Sequence, residues 1–154
     1  MATLTAGFSA GLRRSARRRG RQAFQAFVRR ASDGRLERTV GSDVGLRLLF
    51  AAMARAYEPD EGQGFAGEIQ YELTRPGGRI VPWTVHVGGD RATARPGRAA
   101  APALTLTMGV PDFVRMAAGE LDAGRALLTG RLDLAGDFAL AQRLAQMFGR
   151  PAAL

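Results

Sequence analysis

The side chains best suited to chemistry are few in this sequence of 154 residues. His86 is the only histidine and there is no cysteine. His86 alternates with Thr84 on the face of a predicted strand opposite Trp83 and Val85, which favours a solvent-facing or hydrogen-bonded histidine over a general base. Because the acidic residues are scattered along the sequence and there is only one histidine, no metal site is predicted. All serines precede the predicted domain, which excludes a serine triad inside it: Ser9, Ser15, Ser32 and Ser42.

A glycine-rich segment, Gly62–Gly67, has the spacing of a dinucleotide-binding loop. That chemistry needs a strand before the glycines and a helix after them, because the helix N-terminus must meet the pyrophosphate. The flanking residues predict the reverse order, with a helix first and a strand after it. The segment is therefore interpreted as a loop, and no cofactor is predicted.

The formal net charge of +8 is confined to the beginning of the chain. Residues 1–40 contain ten arginines, whereas their only acids are Asp33 and Glu37. Residues 41–154 contain twelve arginines and twelve acids, so this part is neutral. Nucleic-acid binding by the whole protein is therefore disfavoured.

The arginine cluster at residues 13–30 has three interpretations, which the sequence leaves open. It is a solvated tail, a basic amphipathic helix on an anionic membrane, or a nucleic-acid contact. Phe24, Phe27 and Val28 would supply the apolar side of the amphipathic helix. Nucleic-acid contact is the weakest of the three, since the domain that follows lacks interleaved aromatic residues for stacking on bases. In the membrane interpretation the contacts are Arg13, Arg14, Arg17, Arg18, Arg19 and Arg21.

Composition and length predict one globular domain. Hydrophobic residues make up 46% and charged residues 23%, and no apolar run is long enough to cross a bilayer. The acid-free, arginine-rich beginning is similar to a mitochondrial transit peptide. All 22 basic residues are arginine, however, and this codon-linked skew favours a bacterial cytosol. We therefore expect a cytoplasmic protein with peripheral contact to a membrane.

Apolar spacing predicts an α+β fold, a five-stranded, mostly antiparallel sheet with helices layered on one face. Turn residues at 32–42 predict a linker between an arginine-rich extension, 1–42, and a domain, 43–154. The predicted helices span 43–57, 111–118, 122–129 and 137–148, and the predicted strands lie near 65–73, 83–87, 91–95, 103–108 and 131–134. Large apolar residues predict a core that is either solid or hollow, and four of the five methionines fall among them.

A series of motifs follows in order in the second half of the chain: Leu104-Thr-Leu-Thr-Met108, Pro111-Asp-Phe113, Gly119-Glu-Leu-Asp122, Ala126-Leu-Leu-Thr-Gly130, Arg131-Leu-Asp-Leu-Ala-Gly136 and Leu140-Ala-Gln-Arg-Leu144. In this order they resemble the Thr-x-Thr-Met strand, Asp-Phe helix, glycine turns and Leu-Ala-x-x-Leu helix of the sterol carrier protein-2 family. The strand Trp83-Thr-Val-His-Val87 is similar to the family's tryptophan-bearing strand. Arg131 stands in place of the family's lysine, and the segment 126–128 lacks the usual aromatic residues. The similarity covers about residues 44–148.

This resemblance implies a helix-covered sheet that encloses an apolar tunnel for a fatty acyl chain, acyl-CoA, a sterol or a phospholipid. It implies non-catalytic carriage or presentation of lipid, with the last helix as a lid. The expected ligand-binding wall residues are Trp83, Met108, Phe113, Met116, Leu128, Leu132, Phe138, Leu144 and Met147.

Two other functions remain open from the sequence. One is an enzyme that orients or isomerises an apolar substrate in the same pocket, with Tyr57, Tyr71 or His86 polarising it. The other is an accessory subunit that offers the pocket or a sheet edge to a protein partner. The oligomeric state and the identity of the ligand do not follow from the sequence.

Overall fold

The structure, a computed structural model, describes residues 4–149, and side chains from residue 16 onward. The helices are α1 (Leu4–Arg30), α2 (Asp33–Arg38), α3 (Asp43–Arg55), the single turn α4 (Pro59–Gly62), α5 (Val110–Ala117), α6 (Ala123–Leu128) and α7 (Phe138–Met147). The strands are β1 (Gly67–Thr74), β2 (Ile80–Gly88), β3 (Arg91–Pro96), β4 (Leu104–Gly109) and β5 (Leu132–Gly136). The predicted α+β class is confirmed.

The five strands form one sheet in the order β3-β2-β1-β4-β5. β1 is parallel to β4, and the other three pairings are antiparallel, so the sheet is mixed. In its centre Tyr71 lies opposite Trp83 on one side and Leu106 on the other. Because side chains alternate along a strand, these three point to the same face, where the core lies.

The opposite face of the sheet is polar. Glu72 pairs with Arg98 at 3.0 Å, and Glu68 pairs with Arg95 at 3.4 Å. Such partly exposed pairs contribute little stability, but together with the buried residues Gln70 and Thr84 they make the centre of this face polar. An apolar guest is therefore expected on the helical face.

The segment predicted as a linker, 32–42, contains the short helix α2. The Ser32 hydroxyl accepts a hydrogen bond from the Arg35 amide, and the Ser42 hydroxyl accepts one from the Gly45 amide, so serines cap both α2 and α3. Leu36 of α2 is fully buried in the core. A linker is the wrong interpretation here, because this side chain gives α2 a place in the packed structure.

Ion pairs hold α2, and packing in the core holds α1, against the rest of the molecule. Arg75, at the end of β1, binds Glu37 at 2.6 Å and Asp43 at 2.9 Å. Arg115 of α5 pairs with Asp33 of α2. Val28 of α1 is 1% exposed and belongs to the same core as the sheet. The packed unit therefore begins before residue 43, the predicted start of the domain.

The junction between α2 and α3 depends on a glycine. A methyl group at Gly45 would overlap the carbonyl oxygen of Val40 and lie 2.6 Å from that of Thr39. Since backbone atoms give way poorly, we expect Gly45→Ala to lower the free energy of unfolding by about 1–3 kcal/mol, measured by urea denaturation. The matched control is Gly20→Ala in α1, where nothing lies within 4 Å. The control should leave stability unchanged or raise it, and equal stability of both variants would contradict the prediction.

Candidate functional site

Seven of the nine predicted wall residues meet in one apolar cluster between the sheet and the helices. Five of them are buried: Trp83, Met108, Phe113, Leu132 and Met147. Met116 and Leu144 are partly buried and pack against the same cluster. They come from β2, β4, β5, α5 and α7, so the topology brings together residues up to 64 positions apart (83 and 147).

The other two predicted wall residues do not share this cluster. Leu128 is 90% exposed and Phe138 is 59% exposed. Leu128 ends α6, a helix of six residues that buries only Ala126. Phe138 begins α7, directly after the capping residue Asp137. Helix periodicity alone cannot place such terminal residues, because the two helix ends project beyond the core.

The centre of the cluster is an aromatic stack around Phe50, which sequence reasoning did not assign to the site. The Phe50 ring lies 4.5 Å from the Trp83 ring and 4.8 Å from the Phe113 ring, measured between centroids, with planes 8° and 17° apart. Tyr71 meets Phe50 edge-on at 5.3 Å. The available signal was the position of Phe50 in the apolar stripe of α3. This stack fills the space between β2 and α5.

The polar residues considered for catalysis lie in different places. Burial raises the pKa of the Tyr71 phenol, so it is neutral at physiological pH. His86 is exposed on the other face of the sheet, with its Nδ1 3.8 Å from Glu68 Oε1. Tyr57 packs against Phe148 near the end of α3. These three side chains do not converge on one reacting group.

Two negative findings concern the described residues. No group of three or more acidic, histidine or cysteine side chains lies close enough to hold a metal ion within residues 4–149. Among the helices described, none is long and apolar enough to cross a membrane.

A second apolar surface lies on the outside of the molecule, between α1 and α3. It is an open groove of about 610 Å³ whose lining is Phe24, Phe27, Thr39, Val40, Ser42, Val44, Gly45, Leu48, Leu49 and Ala52. A smaller depression of about 490 Å³ lies beside α2, and its lining includes the charged residues Glu37 and Arg75. The groove between α1 and α3 is separate from the aromatic stack.

The predicted membrane-contact arginines lie on α1. Arg17, Arg18, Arg19 and Arg21 are exposed. Arg13 and Arg14 belong to the part of α1 whose side chains the structure does not describe.

Solved structures of known proteins share this fold. The palmitated SCP2L2 protein of Aedes aegypti is 26% identical, with a TM-score of 0.55, and the match covers 68% of this chain and 92% of that one. Sterol carrier protein 2 of Yarrowia lipolytica, in its apo form, is 16% identical with a TM-score of 0.54, covering 69% and 91%. The sec-alkylsulfatase Pisa1 from a Pseudomonas species is 18% identical with a TM-score of 0.52, covering 63% of this chain and 15% of the enzyme. The last two show the fold alone.

No curated protein sequence matches this chain. A family model, however, matches residues 48–149, which include β1 to β5 and the whole aromatic stack. The resemblance found in the sequence is thereby confirmed, and the chain belongs to the SCP-2 sterol transfer family.

Proposed function

We propose that this protein binds an apolar lipid in the cluster around Phe50 and transfers or presents it without catalysis. The observation that carries this proposal is the convergence of seven predicted wall residues on the helical face of the sheet. A long acyl chain suits such a site, because burial of apolar surface yields about 25 cal/mol per Å² and requires few polar partners. Membership of the family supports lipid transfer as the function.

Palmitate is the first ligand to test. The Aedes aegypti relative, 26% identical over most of its length, is described as palmitated. An acyl chain entering the cluster of this protein has to separate the stacked rings of Phe50 and Trp83, since their centroids are only 4.5 Å apart. Binding and ring movement are therefore coupled in our proposal, and Trp83 reports on both.

The last helix, α7, is the element that would open. Leu140 and Met147 of α7 are buried in the core, and Leu144, which lies between them in sequence, is partly buried. Its polar contacts to α4 are few: Arg143 donates to the Gly62 carbonyl oxygen at 3.2 Å, and the Glu58 amide donates to the Met147 carbonyl oxygen at 2.7 Å. We propose that α7 moves as a lid to admit a lipid to the tunnel that the family resemblance implies.

The decisive measurement is native mass spectrometry of freshly purified protein, followed by extraction and identification of bound lipid. We expect a fatty acid or another acyl lipid to co-purify. Adding palmitate to the delipidated protein should then change the fluorescence emission of Trp83, the only tryptophan of the chain. A protein that is empty on purification and gives no palmitate response would overturn the proposal in favour of a solid core.

A charge introduced into the cluster should weaken palmitate binding. Leu144→Asp places a carboxylate on the inner side of α7, and we expect about tenfold weaker affinity, because the buried charge has no partner there. The matched control is Ala145→Asp on the exposed side of the same helix. Both variants are first compared with the wild type by circular dichroism. Equal palmitate affinities of the two folded variants would contradict this placement of the site.

We further propose that the protein acts in the cytoplasm and reaches anionic membranes through the arginines of α1. The support is the location of the excess positive charge in residues 1–40 and the exposure of Arg17, Arg18, Arg19 and Arg21. Anionic lipid attracts basic residues near its surface by about 1 kcal/mol each. Docking of this kind would bring the lipid carrier to its donor and acceptor membranes.

A further inference from the structure

We propose that the open groove between α1 and α3 is a second ligand site, which holds one single-chain amphiphile with an anionic headgroup. This site is separate from the cluster around Phe50 and does not depend on lipid binding there. Its apolar lining would hold the alkyl chain, and an arginine at one end would hold the headgroup.

The groove is apolar along most of its length. Its volume of about 610 Å³ lies in the range of about 300–1,000 Å³ that is typical of sites for small ligands. Phe24 and Phe27 of α1 line it together with Val44 and Leu48 of α3, which are 68% and 65% exposed. None of the described residues that line it is charged. An alkyl chain lying there would remove from water an apolar surface that the fold leaves exposed.

The groove is elongated along α3. The part of its lining that belongs to this helix runs from Val44 to Ala52. At a rise of about 1.5 Å per residue, this distance is about 12 Å. The opposite side of α3 buries Leu46 and Phe50 in the core, so the groove belongs to the outer side alone. One extended alkyl chain suits this elongated surface.

One end of the groove is polar. Thr39 and Ser42, at the junction of α2 and α3, contribute hydroxyl groups to the lining. The Thr39 hydroxyl donates to the Arg35 carbonyl oxygen at 2.6 Å, and the Ser42 hydroxyl donates to the Thr39 carbonyl oxygen at 2.7 Å. Leu49 and Ala52, later in α3, make the other end aliphatic. The lining therefore gives a bound amphiphile a direction, with its headgroup at the junction of α2 and α3.

Arg35 stands beside this polar end. Its guanidinium carbon lies over the Phe27 ring, 5.3 Å from the centroid, and Phe27 is itself part of the lining. Arg35 also precedes Thr39 by four residues, so the two side chains are neighbours on the helix surface. Arg35 is exposed, and its guanidinium group can therefore reach a headgroup at the polar end.

The two carboxylates of α2 are bound to other arginines. Asp33 pairs with Arg115, and Glu37 pairs with Arg75 at 2.6 Å. A guanidinium group matches the geometry of a carboxylate or a phosphate. We therefore assign the headgroup of the bound amphiphile as the anionic partner of Arg35.

Most of this groove lies outside the part of the chain that the family model matches. The match begins at residue 48, whereas Phe24, Phe27, Thr39 and Val44 precede it. The groove is therefore built mainly by the N-terminal segment, and an amphiphile bound there would be additional to lipid in the Phe50 cluster.

The test counts the laurate molecules bound to delipidated full-length protein, by equilibrium dialysis below the critical micelle concentration. We expect two per chain in the wild type, one in each site. Leu48→Asp should lose one of them, because a carboxylate replaces apolar lining. The matched control is Leu127→Asp at a 43% exposed leucine of α6 outside the groove, which should keep both. Equal laurate counts for the wild type and Leu48→Asp, both folded by circular dichroism, would overturn the inference.

Leu144→Asp, which alters the Phe50 cluster, separates this inference from the proposed function. If both sites exist, Leu144→Asp and Leu48→Asp each keep one laurate and the double variant keeps none. A single laurate that only Leu48→Asp abolishes would contradict the proposed function and support the groove site. A single laurate that only Leu144→Asp abolishes would overturn the inference.

Arg35→Gln tests the headgroup contact, in the Leu144→Asp background so that laurate occupies the groove alone. We expect about fivefold weaker laurate binding at low salt, the size of effect expected for an exposed ion pair. Dodecanol has the same chain without the charge, and its affinity should not change. The matched control is Arg38→Gln on the same helix, at a residue that lines the other depression. Equal laurate affinities of the two glutamine variants would overturn the assignment of Arg35.

Sedimentation without lipid tests a second copy of the chain as the occupant. We expect the wild type and Leu48→Asp to have the same oligomeric state. Wild-type dimers that Leu48→Asp converts to monomers, with an unchanged laurate count per chain, would assign the groove to self-association and overturn the inference.

Discussion

Replacing Phe50 by alanine is expected to lower the free energy of unfolding by about 3–5 kcal/mol. Phe50 is fully buried and touches three aromatic rings, those of Trp83, Phe113 and Tyr71. Removing the Phe50 ring loses its buried apolar area and its contacts with the other rings. The substitution also leaves a cavity that β2 and α5 cannot close without moving. Urea denaturation followed by circular dichroism measures the loss.

The control for this prediction is Leu48→Ala on the same helix. Because Leu48 is 65% exposed, the change should alter stability by no more than about 0.5 kcal/mol. A loss of less than about 1 kcal/mol for Phe50→Ala would show that the stack contributes little and that the cluster tolerates empty space. In that case palmitate would not have to displace Phe50, and the proposed coupling of ring movement to binding would fail.

The cavity left in Phe50→Ala also bears on function. If the cluster is the lipid site, saturating palmitate should recover part of the lost stability, because a ligand that binds only the folded state stabilises it by mass action. A variant that is destabilised but gains nothing from palmitate would separate the packing role of Phe50 from lipid binding.

Patterns confined to one element were predictable from the sequence. Ile69, Tyr71 and Leu73 alternate with polar residues because only one face of β1 packs against the apolar core, and the same holds for Trp83, Val85 and Val87 in β2. The helix starts at Asp122 and Asp137 were predicted, since a capping carboxylate accepts a hydrogen bond from an amide three residues later. These features depend on local geometry, so they can be predicted without knowledge of the tertiary structure.

The features that the sequence did not reveal depend on contacts between distant residues. Helix α2 has only six residues and would not form alone; buried Leu36 and the pair between Asp33 and Arg115, 82 positions apart, hold it in place. The central role of Phe50 likewise arises from its meeting with Trp83 and Phe113. Leu128 followed the apolar pattern of its neighbours, although its helix is too short to bury it.

The same principle applies to the two apolar surfaces of α3. A stripe of leucines and phenylalanines in sequence indicates burial but does not say how many faces of the helix the fold covers. Leu46 and Phe50 meet the core, whereas Val44 and Leu48 meet solvent. Both surfaces of α3 are therefore apolar, but the fold covers only one of them.

Neutralising four of the exposed arginines of α1 is expected to weaken binding to anionic vesicles at low salt by about three orders of magnitude. The estimate takes about 1 kcal/mol for each basic residue near an anionic surface. The changed residues are Arg17, Arg18, Arg19 and Arg21, each replaced by glutamine, and vesicle sedimentation gives the affinity.

The matched control removes the same net charge from the exposed arginines Arg79, Arg91, Arg95 and Arg125 of the neutral domain. If docking proceeds through α1, this control loses far less affinity, whereas an equal loss in both variants would mean that net charge alone attracts the membrane. Because the attraction between the arginines and anionic lipid is screened by salt, the difference in affinity between the α1 variant and the wild type should shrink as salt rises. Retention of a large difference at high salt would show instead that the arginines act through the structure of α1 itself.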